Sequence, residues 1–491
     1  MREDWIEVEL GEVCNFIGGG TPSKANSDFW SGNLPWASIK DMKGDTLNET
    51  QDYITELGLK NSSSNLALPD EIILATRITP GKPIISKIKT AINQDLKVVK
   101  PKIKIDSKYL FYSFKSFEKK IVKASSGTTV LGINLNSLNS VIYPLAPLPI
   151  QRAIVLKIEN LFASLDKGIA DLKTAQEQLK VYRQAVLEQG LTGVFTKKFR
   201  KENPGLEVAE SLYQKIQNEI EEAYKKACSE ALKNGKNKPK DQRKNKKALN
   251  VSSYLPEIPK TWEYYRLEDL TYLVTDGTHF TPKYQKEGVK FLSVKNVRPF
   301  LIKDEDIKYI SQEEHKQFIE RCKPENGDIL YTKVGATYGY ASKVQLDYEF
   351  SIFVSLCLIK PVYKYLKTEF LEYLMNSEIV FRQARQRVSG SGVPDLHLVE
   401  IRDFKIPLPS VDEQKVIIRE IESRLSVCDK VEQSISEALE KAEALRQSIL
   451  KKAFEGKLLS EAEIAKCKQE ADYEPAAKLL ERIKMDNRKK Y

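Results

Sequence analysis

The chain has 491 residues, 41% hydrophobic and 30% charged, enough for roughly three domains on a ~150-residue prior and typical of a globular protein with a charged, helix-rich part. Its 78 Lys and Arg against 68 Asp and Glu leave a net charge of +10, which leans towards a polyanionic partner, although many cytosolic chains are mildly basic. The six cysteines form no C-x-x-C pair and no apolar run is long enough to span a bilayer or form a signal core, which argues against a zinc ribbon, a redox pair and a membrane anchor and for a reducing, cytoplasmic setting.

Residues 1–146 read as an α+β body. Short β-rich runs at 71–76 and 97–99 are broken by Gly, Pro and Asn clusters, and one helix is expected near 107–122. Residues 147–196 read as a first helical arm, since Ile154, Ile158, Leu161, Leu165, Ile169, Leu172, Ala175, Leu179, Tyr182 and Val186 recur at spacings of three and four. A rod of ~45 helical residues is roughly 65 Å long. The connector, 197–258, begins with an exposed helix at 209–232. It continues with a run in which Lys233, Lys236, Lys238, Lys240, Arg243, Lys244, Lys246 and Lys247 face the single acid Asp241. Such a run is a solvated tether or a non-specific phosphate contact.

A second body, 259–409, repeats the outline of the first. Trp5 and Leu10 correspond to Trp262 and Leu267, Ser38-Ile39-Lys40 to Ser293-Val294-Lys295, Thr76-Arg77 to Thr332-Lys333, and Ser86-Lys87 to Ser342-Lys343. A second arm, 410–459, carries Ile417, Ile421, Leu425, Cys428, Val431, Ile435, Leu439, Ala442, Leu445 and Ile449, and a tail, 460–491, holds a helix near 476–484 that resembles 209–216. Residues 144–195 lie on 407–458 without a gap: Gln151 on Gln414, Asp166 on Asp429, Arg183 on Arg446 and Gly193 on Gly456. Two alike arms with two less alike bodies make a covalent pseudo-dimer, suited to a nearly two-fold target such as duplex DNA. Bodies that diverged while the arms stayed in register suit an asymmetric, two-part sequence.

Enzyme signatures are scarce. Phe16-Ile17-Gly18-Gly19-Gly20 fits the F-x-G-x-G string of adenosylmethionine sites, but no buried strand precedes it, Thr21-Pro22 follows in place of a helix, and no N-P-P-[FY] loop exists. A phosphate-binding loop is missing, and Pro69-Asp70-Glu71 lacks the E-x-K or D-x-K of a nuclease. His279, His315 and His397 have no second ligand at metal spacing, and His315 reads as part of an exposed helix. No catalytic residue, metal or cofactor is therefore expected on this chain.

Binding signatures are better. Lys40, Arg77, Lys82, Lys87, Ser126, Thr128 and Thr129 stand out in the first body. Lys295, Asn296, Lys333, Thr337, Tyr338, Arg387, Ser389 and Ser391 do so in the second, with Arg382 and Arg385 beside them. Glycine lets backbone approach a phosphate, Arg and Lys neutralise it, and Asn, Ser and Thr reach base edges. Surface solvation explains any one of them alone; as two matching sets they point to nucleic-acid contact.

Gly19-Gly20-Thr21-Pro22-Ser23 with Phe29-Trp30-Ser31-Gly32 and Leu34-Pro35-Trp36, then Asp276-Gly277-Thr278-His279 with Thr281-Pro282-Lys283-Tyr284 and the 289–296 run, resemble the openings of target recognition domains in the specificity (S) subunits of Type I restriction–modification systems. Ile406-Pro407-Leu408-Pro409 before Glu413-Gln414, and Ala453-Phe454-Glu455-Gly456-Lys457-Leu458, are similar to the start and end of that family's helices. The first arm departs from the pattern, with Pro149-Ile150-Gln151 in place of an acidic residue before Gln. The resemblance implies an α+β fold with two target recognition domains separated by two long helices packed as an antiparallel coiled coil in a pseudo-two-fold arrangement. It also implies one half-site read per domain, two methyltransferase subunits carrying adenosylmethionine, and motor–nuclease subunits using ATP and Mg. The chain itself would be non-catalytic. A fused restriction–modification enzyme with an unrecognised catalytic part and a coiled-coil scaffold without DNA are the alternatives. Transfer of methyl groups would mark the first, and binding without steep salt dependence the second.

Overall fold

A computed structural model describes residues 4–125, 131–235, 237–238, 255–388 and 392–481. Ser126, Thr128, Thr129, Ser389 and Ser391, the tether residues Lys236, Lys240, Asp241, Arg243, Lys244, Lys246 and Lys247, and the end of the expected tail helix lie outside them. The chain forms two compact units, Met1–Lys173 with Ile435–Tyr491, and Thr174–Ser434. The divisions therefore fall inside both arms rather than at their ends.

The first unit is α+β. Strands Cys14–Gly18, Leu96–Pro101, Ile72–Ala75, Pro83–Ser86 and Thr46–Leu47 lie side by side in that order. A second sheet has the order Asp52–Ile54, Trp30–Ala37, Thr90–Ile92, Asn65–Ala67, with Trp30–Ala37 parallel to Thr90–Ile92. The second unit repeats this plan. Its sheets run Thr271–Asp276, Leu356–Pro361, Ile329–Thr332, Ala341–Lys343, and Lys308–Ile310, Val289–Leu292, Phe350–Ile352, the last two again parallel. Apolar runs such as Ile72–Ala75 are buried at every position, as expected of central strands. The expected helix near 107–122 spans Ser107–Lys123. Asp106 caps it by accepting from Lys108 and Tyr109 N–H, both at 2.9 Å, and Tyr109, Phe114, Phe117 and Ile121 fill the core.

The arms are helices Leu148–Leu191 and Val411–Phe454, 44 residues each. Both end in the same way: Gly193 (φ 77°) and Gly456 (φ 74°) take the left-handed conformation, and Val194 and Lys457 N–H reach back to Gln189 and Lys452 C=O at 2.9 and 2.8 Å. A buried glutamine ties each helix start to its body. Gln151 donates to Ala146 C=O at 2.8 Å and accepts from Asp106 N–H at 2.9 Å; Gln414 donates to Pro409 C=O at 3.0 Å and accepts from Lys367 N–H at 2.8 Å.

Within each unit the two helices run antiparallel. In the first, the early residues Ile154, Ile158 and Phe162 share a core with the late residues Ile449, Leu450 and Phe454, and Asp166 pairs with Arg446. In the second, Val186, Leu187 and Leu191 share a core with Ile417 and Ile421, and Arg183 pairs with Asp429 at 2.7 Å and Glu432 at 2.8 Å. Of the expected seam, Ile435 is also buried, and Leu161, Leu165, Ile169, Leu172, Leu179 and Leu425 are half-buried. Leu445 corrects the expectation: it is 49% exposed, as two helices cover one another on one side only, and Tyr182 and Val431 are exposed for the same reason.

Two further expectations change. The connector helix, Ala209–Lys233, is not exposed all round: Leu212, Ile216 and Ile220 are buried, and Tyr213 stacks on Tyr265 with centroids 4.2 Å apart. His315 lies on the expected helix, Gln312–Ile319, but points inwards, with Nδ1 2.9 Å from Ser351 Oγ. The tail repeats the connector: Ala209 N–H bonds Thr261 C=O at 3.0 Å, and Ala476 N–H bonds Asp4 C=O at 3.3 Å.

Candidate nucleic-acid interface

The strand Cys14–Gly18 and its counterpart Thr271–Asp276 each run into a glycine pressed on the end of a strand of the other sheet. A Cβ on Gly19 would lie 2.2 Å from Ile92 C=O, and one on Gly277 would lie 2.0 Å from Ile352 C=O, so only glycine fits. The next residues, Gly20 and Thr278, donate N–H to those same carbonyls, both at 3.0 Å. The Gly-rich string of the first head is therefore a packing element and not a cofactor motif, and its glycine, like Gly277 in the second head, builds one rim.

The second rim is a serine turn. Ser38 N–H donates to Asp41 Oδ2 at 2.8 Å, and Ser293 N–H donates to Asn296 Oδ1 at 3.0 Å. These turns hold Lys40 and Lys295 outward and exposed. Lys40 and Lys295 are thus the same residue in the two copies. Asn296 does not itself reach outward: it is 4% exposed, and its amide also donates to Glu305 C=O at 3.3 Å.

The third rim follows strands Ile72–Ala75 and Ile329–Thr332. Arg77 is half-exposed and pairs with Asp95 at 3.2 Å. Its counterpart Lys333 corrects the expectation of an outward contact: it is buried, 4.0 Å from Asp276 and 3.6 Å from Asp395, which neutralise it within the head. Asp276 also binds Arg321 and lies 3.3 Å from His279, so one buried carboxylate gathers three cationic or protonatable groups. Lys87 is exposed and pairs with Asp70 at 2.6 Å, and Lys82 is half-buried. Thr337 C=O accepts from Thr332 Oγ1 at 2.6 Å, and Tyr338 stacks on Phe381.

Arg387 is a correction to the contact set. Its guanidinium donates to Glu400 C=O at 2.6 Å, pairs with buried Asp403 at 3.0 Å and covers Phe404, and burial lowers its pKa. Its contacts all lie within the second head. Arg382 and Arg385, by contrast, are exposed.

Between the first two rims of the first head is a cavity of about 860 Å³ whose walls include Thr21, Lys24, Trp30, Trp36, Lys40 and Gln94. Trp30 and Trp36 meet edge to face at 5.2 Å, and Trp36 Nε1 donates to Gly20 C=O at 3.1 Å. Thr21 and Gln94 are not among the binding residues expected from the sequence, although Thr21 follows the glycine string and the Asn93-Gln94-Asp95 run is a turn signal. Among the described residues no group of His, Cys, Asp and Glu could hold a metal, and no helix is long and apolar enough to cross a membrane. Burial pushes the Cys14 and Cys322 thiols up to about 12, far from nucleophilic thiolates.

Two heads on one plan, each tied to a pair of antiparallel helix segments and each rimmed by glycine-bearing and lysine-bearing turns, define a two-headed recognition protein. The chain belongs to the family of the Type I restriction modification DNA specificity domain, whose match covers residues 2–173 and 259–441. It is 24% identical to the Type I restriction enzyme EcoBI specificity subunit of Escherichia coli over 99% of this chain and 93% of that one. The fold is shared with the HsdS subunit from Thermoanaerobacter tengcongensis (TM-score 0.52, 17% identity, 93% of this chain and 98% of that one). It is also shared with a chain from work on complex assembly and conformational transition of the type I R-M system (TM-score 0.62, 16% identity, 93% and 99%). The chain is accordingly a DNA-specificity protein of the restriction–modification class, with two recognition domains and a helical linker.

Proposed function

We propose that the chain addresses a Type I restriction–modification complex to an asymmetric, two-part DNA sequence. The domains run 1–146, 147–196, 197–258, 259–409, 410–459 and 460–491, with one recognition domain on each half-site and the two long helices setting the gap. The chain does no bond chemistry. Two methyltransferase subunits, carrying adenosylmethionine, dock on its repeated parts, motor–nuclease subunits bring ATP and Mg, and the assembly works in the cytoplasm. One observation carries this reading: the repeat keeps the helix fastenings (Gln151 and Gln414, Gly193 and Gly456) while the head rims diverge, with Arg77 set against Lys333 and Gly18 against Asp276. Like fastenings suit like partners, and unlike rims suit unlike half-sites. Joining two modest readers by a stiff rod makes the second contact intramolecular, so affinity rises when both halves lie at the right spacing.

The test is an exchange of residues 1–146 for the first head of another family member, followed by selection of bound duplexes from a randomised pool. One half of the selected sequence should change, and the other half and the gap should persist. A change in both halves would refute the two-reader arrangement.

A further inference from the structure

We infer that Gln94 in the first head and Val354 in the second are the paired specificity-determining positions, Gln94 reading an adenine edge and Val354 a thymine methyl. The inference rests on the two-reader function proposed above and adds to it which residue reads.

Both residues sit at the tip of one conserved piece of backbone. In the first head the tip joins strands Thr90–Ile92 and Leu96–Pro101, and in the second it joins Phe350–Ile352 and Leu356–Pro361. Asn93 N–H bonds Ala37 C=O and Phe353 N–H bonds Leu292 C=O, both at 2.9 Å. Leu96 N–H closes the turn on Asn93 C=O at 3.2 Å, and Leu356 N–H closes it on Phe353 C=O at 2.9 Å. Gln94 and Val354 are therefore the same position in the same frame, carrying different chemistry.

The frame of Gln94 is fixed from several sides. Asn93 Oδ1 accepts from Asp95 N–H at 3.1 Å, Asp95 holds Arg77 at 3.2 Å, and Asp95 C=O accepts from Thr76 N–H at 2.8 Å. Gln94 itself is exposed on the wall of the cavity, and Thr21 Oγ1 donates to its Oε1. That bond orients the amide and leaves one lone pair of Oε1 and both Nε2 hydrogens for a base. A glutamine amide so held matches the N6 donor and N7 acceptor of adenine in the major groove. Lys40 and Lys24, on the same cavity wall, are exposed and placed for flanking phosphates. In the second head Val354 is half-buried and its N–H is committed to Thr278 C=O at 3.0 Å, leaving an isopropyl group to meet the base. An apolar group at this place suits the C5-methyl of thymine and has nothing to offer a polar edge.

The test uses the full chain and a pool of randomised duplexes, with bound sequences read after several rounds. The wild-type chain should select a gapped, two-part sequence; failure to do so would remove the two-reader function and this inference with it. Given that sequence, Gln94→Ala should lose preference at one adenine of one half and bind the wild-type duplex roughly ten- to hundred-fold more weakly, the size of a lost bidentate contact. Thr21→Val should relax the same base and no other. Val354→Asn should change one base pair of the opposite half. Unchanged selections for Gln94→Ala and Val354→Asn, with the gapped sequence intact, would overturn the assignment and leave the two-reader function standing. Thermal melts of each variant separate a reading defect from a folding one.

Discussion

Trp262 donates its indole N–H to Glu413 at 2.7 Å, and the other oxygen of that buried carboxylate binds Arg200 at 2.6 Å. In the first unit the counterpart of Glu413 is Ile150, and Trp5 Nε1 is buried without a partner among the described residues. The counterpart of Arg200 is Glu463, which pairs instead with Lys157 at 2.7 Å. The departure at Ile150 thus goes with a reversed charge at the position whose counterpart, Arg200, pairs with Glu413 in the second unit. Glu413→Ile should leave Arg200 without its counter-charge and the Trp262 N–H without its acceptor, and cost about 3 kcal/mol, within the range for breaking a buried pair. Ile150→Glu should also destabilise, by roughly 2–5 kcal/mol, because a buried carboxylate there lacks its arginine. Urea unfolding of both variants checks this; a neutral Ile150→Glu would show that the first unit already holds a cation for it.

The ion pairs Asp166 with Arg446 and Asp429 with Arg183 are copies of one another, each joining one helix to the other. Four residues inserted between Asp166 and Arg183, and four between Asp429 and Arg446, would preserve both pairs and lengthen each helix by about 6 Å. The expected result is a selected DNA sequence with the same two halves and a different gap. An altered half-site would show that the helices also shape the readers.

Much of this was legible in the sequence, and the reasons differ by residue. The arms were visible because Ile154, Ile158, Ile417 and Ile421 obey a helical period and repeat without a gap. Lys40 and Lys295 were visible because their Ser-x-Lys turns are local. The inward setting of Arg387, Lys333 and Asn296 was not legible, since a basic or amide side chain looks alike in sequence whether it faces water or, like Arg387, a buried Asp403. Gln94 was missed because its setting comes from Ala37, Thr21 and Thr76, distant in the chain. For the connector helix the signal is present, since Leu212, Ile216 and Ile220 recur every four residues, but the many charges around them mask the stripe.

Glu463 predicts an acid-sensitive element. Its bond from Lys157, reinforced by Ser460 N–H and Oγ, lowers its pKa to about 2 from an ordinary 4.5. A carboxylate that is more acidic when folded stabilises the fold above pH 4.5, and this contribution is lost as pH falls from about 4.5 to about 2. Glu463 also caps the helix Glu461–Lys468 at Ser460. Glu463→Gln should lower stability at pH 7 and flatten the dependence between pH 4.5 and 2. An unchanged slope in acid urea titrations would assign the acid sensitivity to other carboxylates.

Lys40 and Lys295 should act on affinity and leave stability alone. Both are exposed, and neither supports the turn that presents it: the turns are closed by Ser38 with Asp41 and by Ser293 with Asn296. If each lysine neutralises one phosphate, Lys40→Ala and Lys295→Ala should each lower the slope of log K against log salt by about 1. Their melting temperatures should match the wild type. Asn296→Ala should do the reverse, costing about 1–2 kcal/mol because Ser293 N–H and Glu305 C=O lose their partner. Binding measured at several salt concentrations, together with thermal melts, separates the two classes. An unchanged slope in both lysine variants would mean that these matched turns face away from DNA and that the lysines serve only solvation.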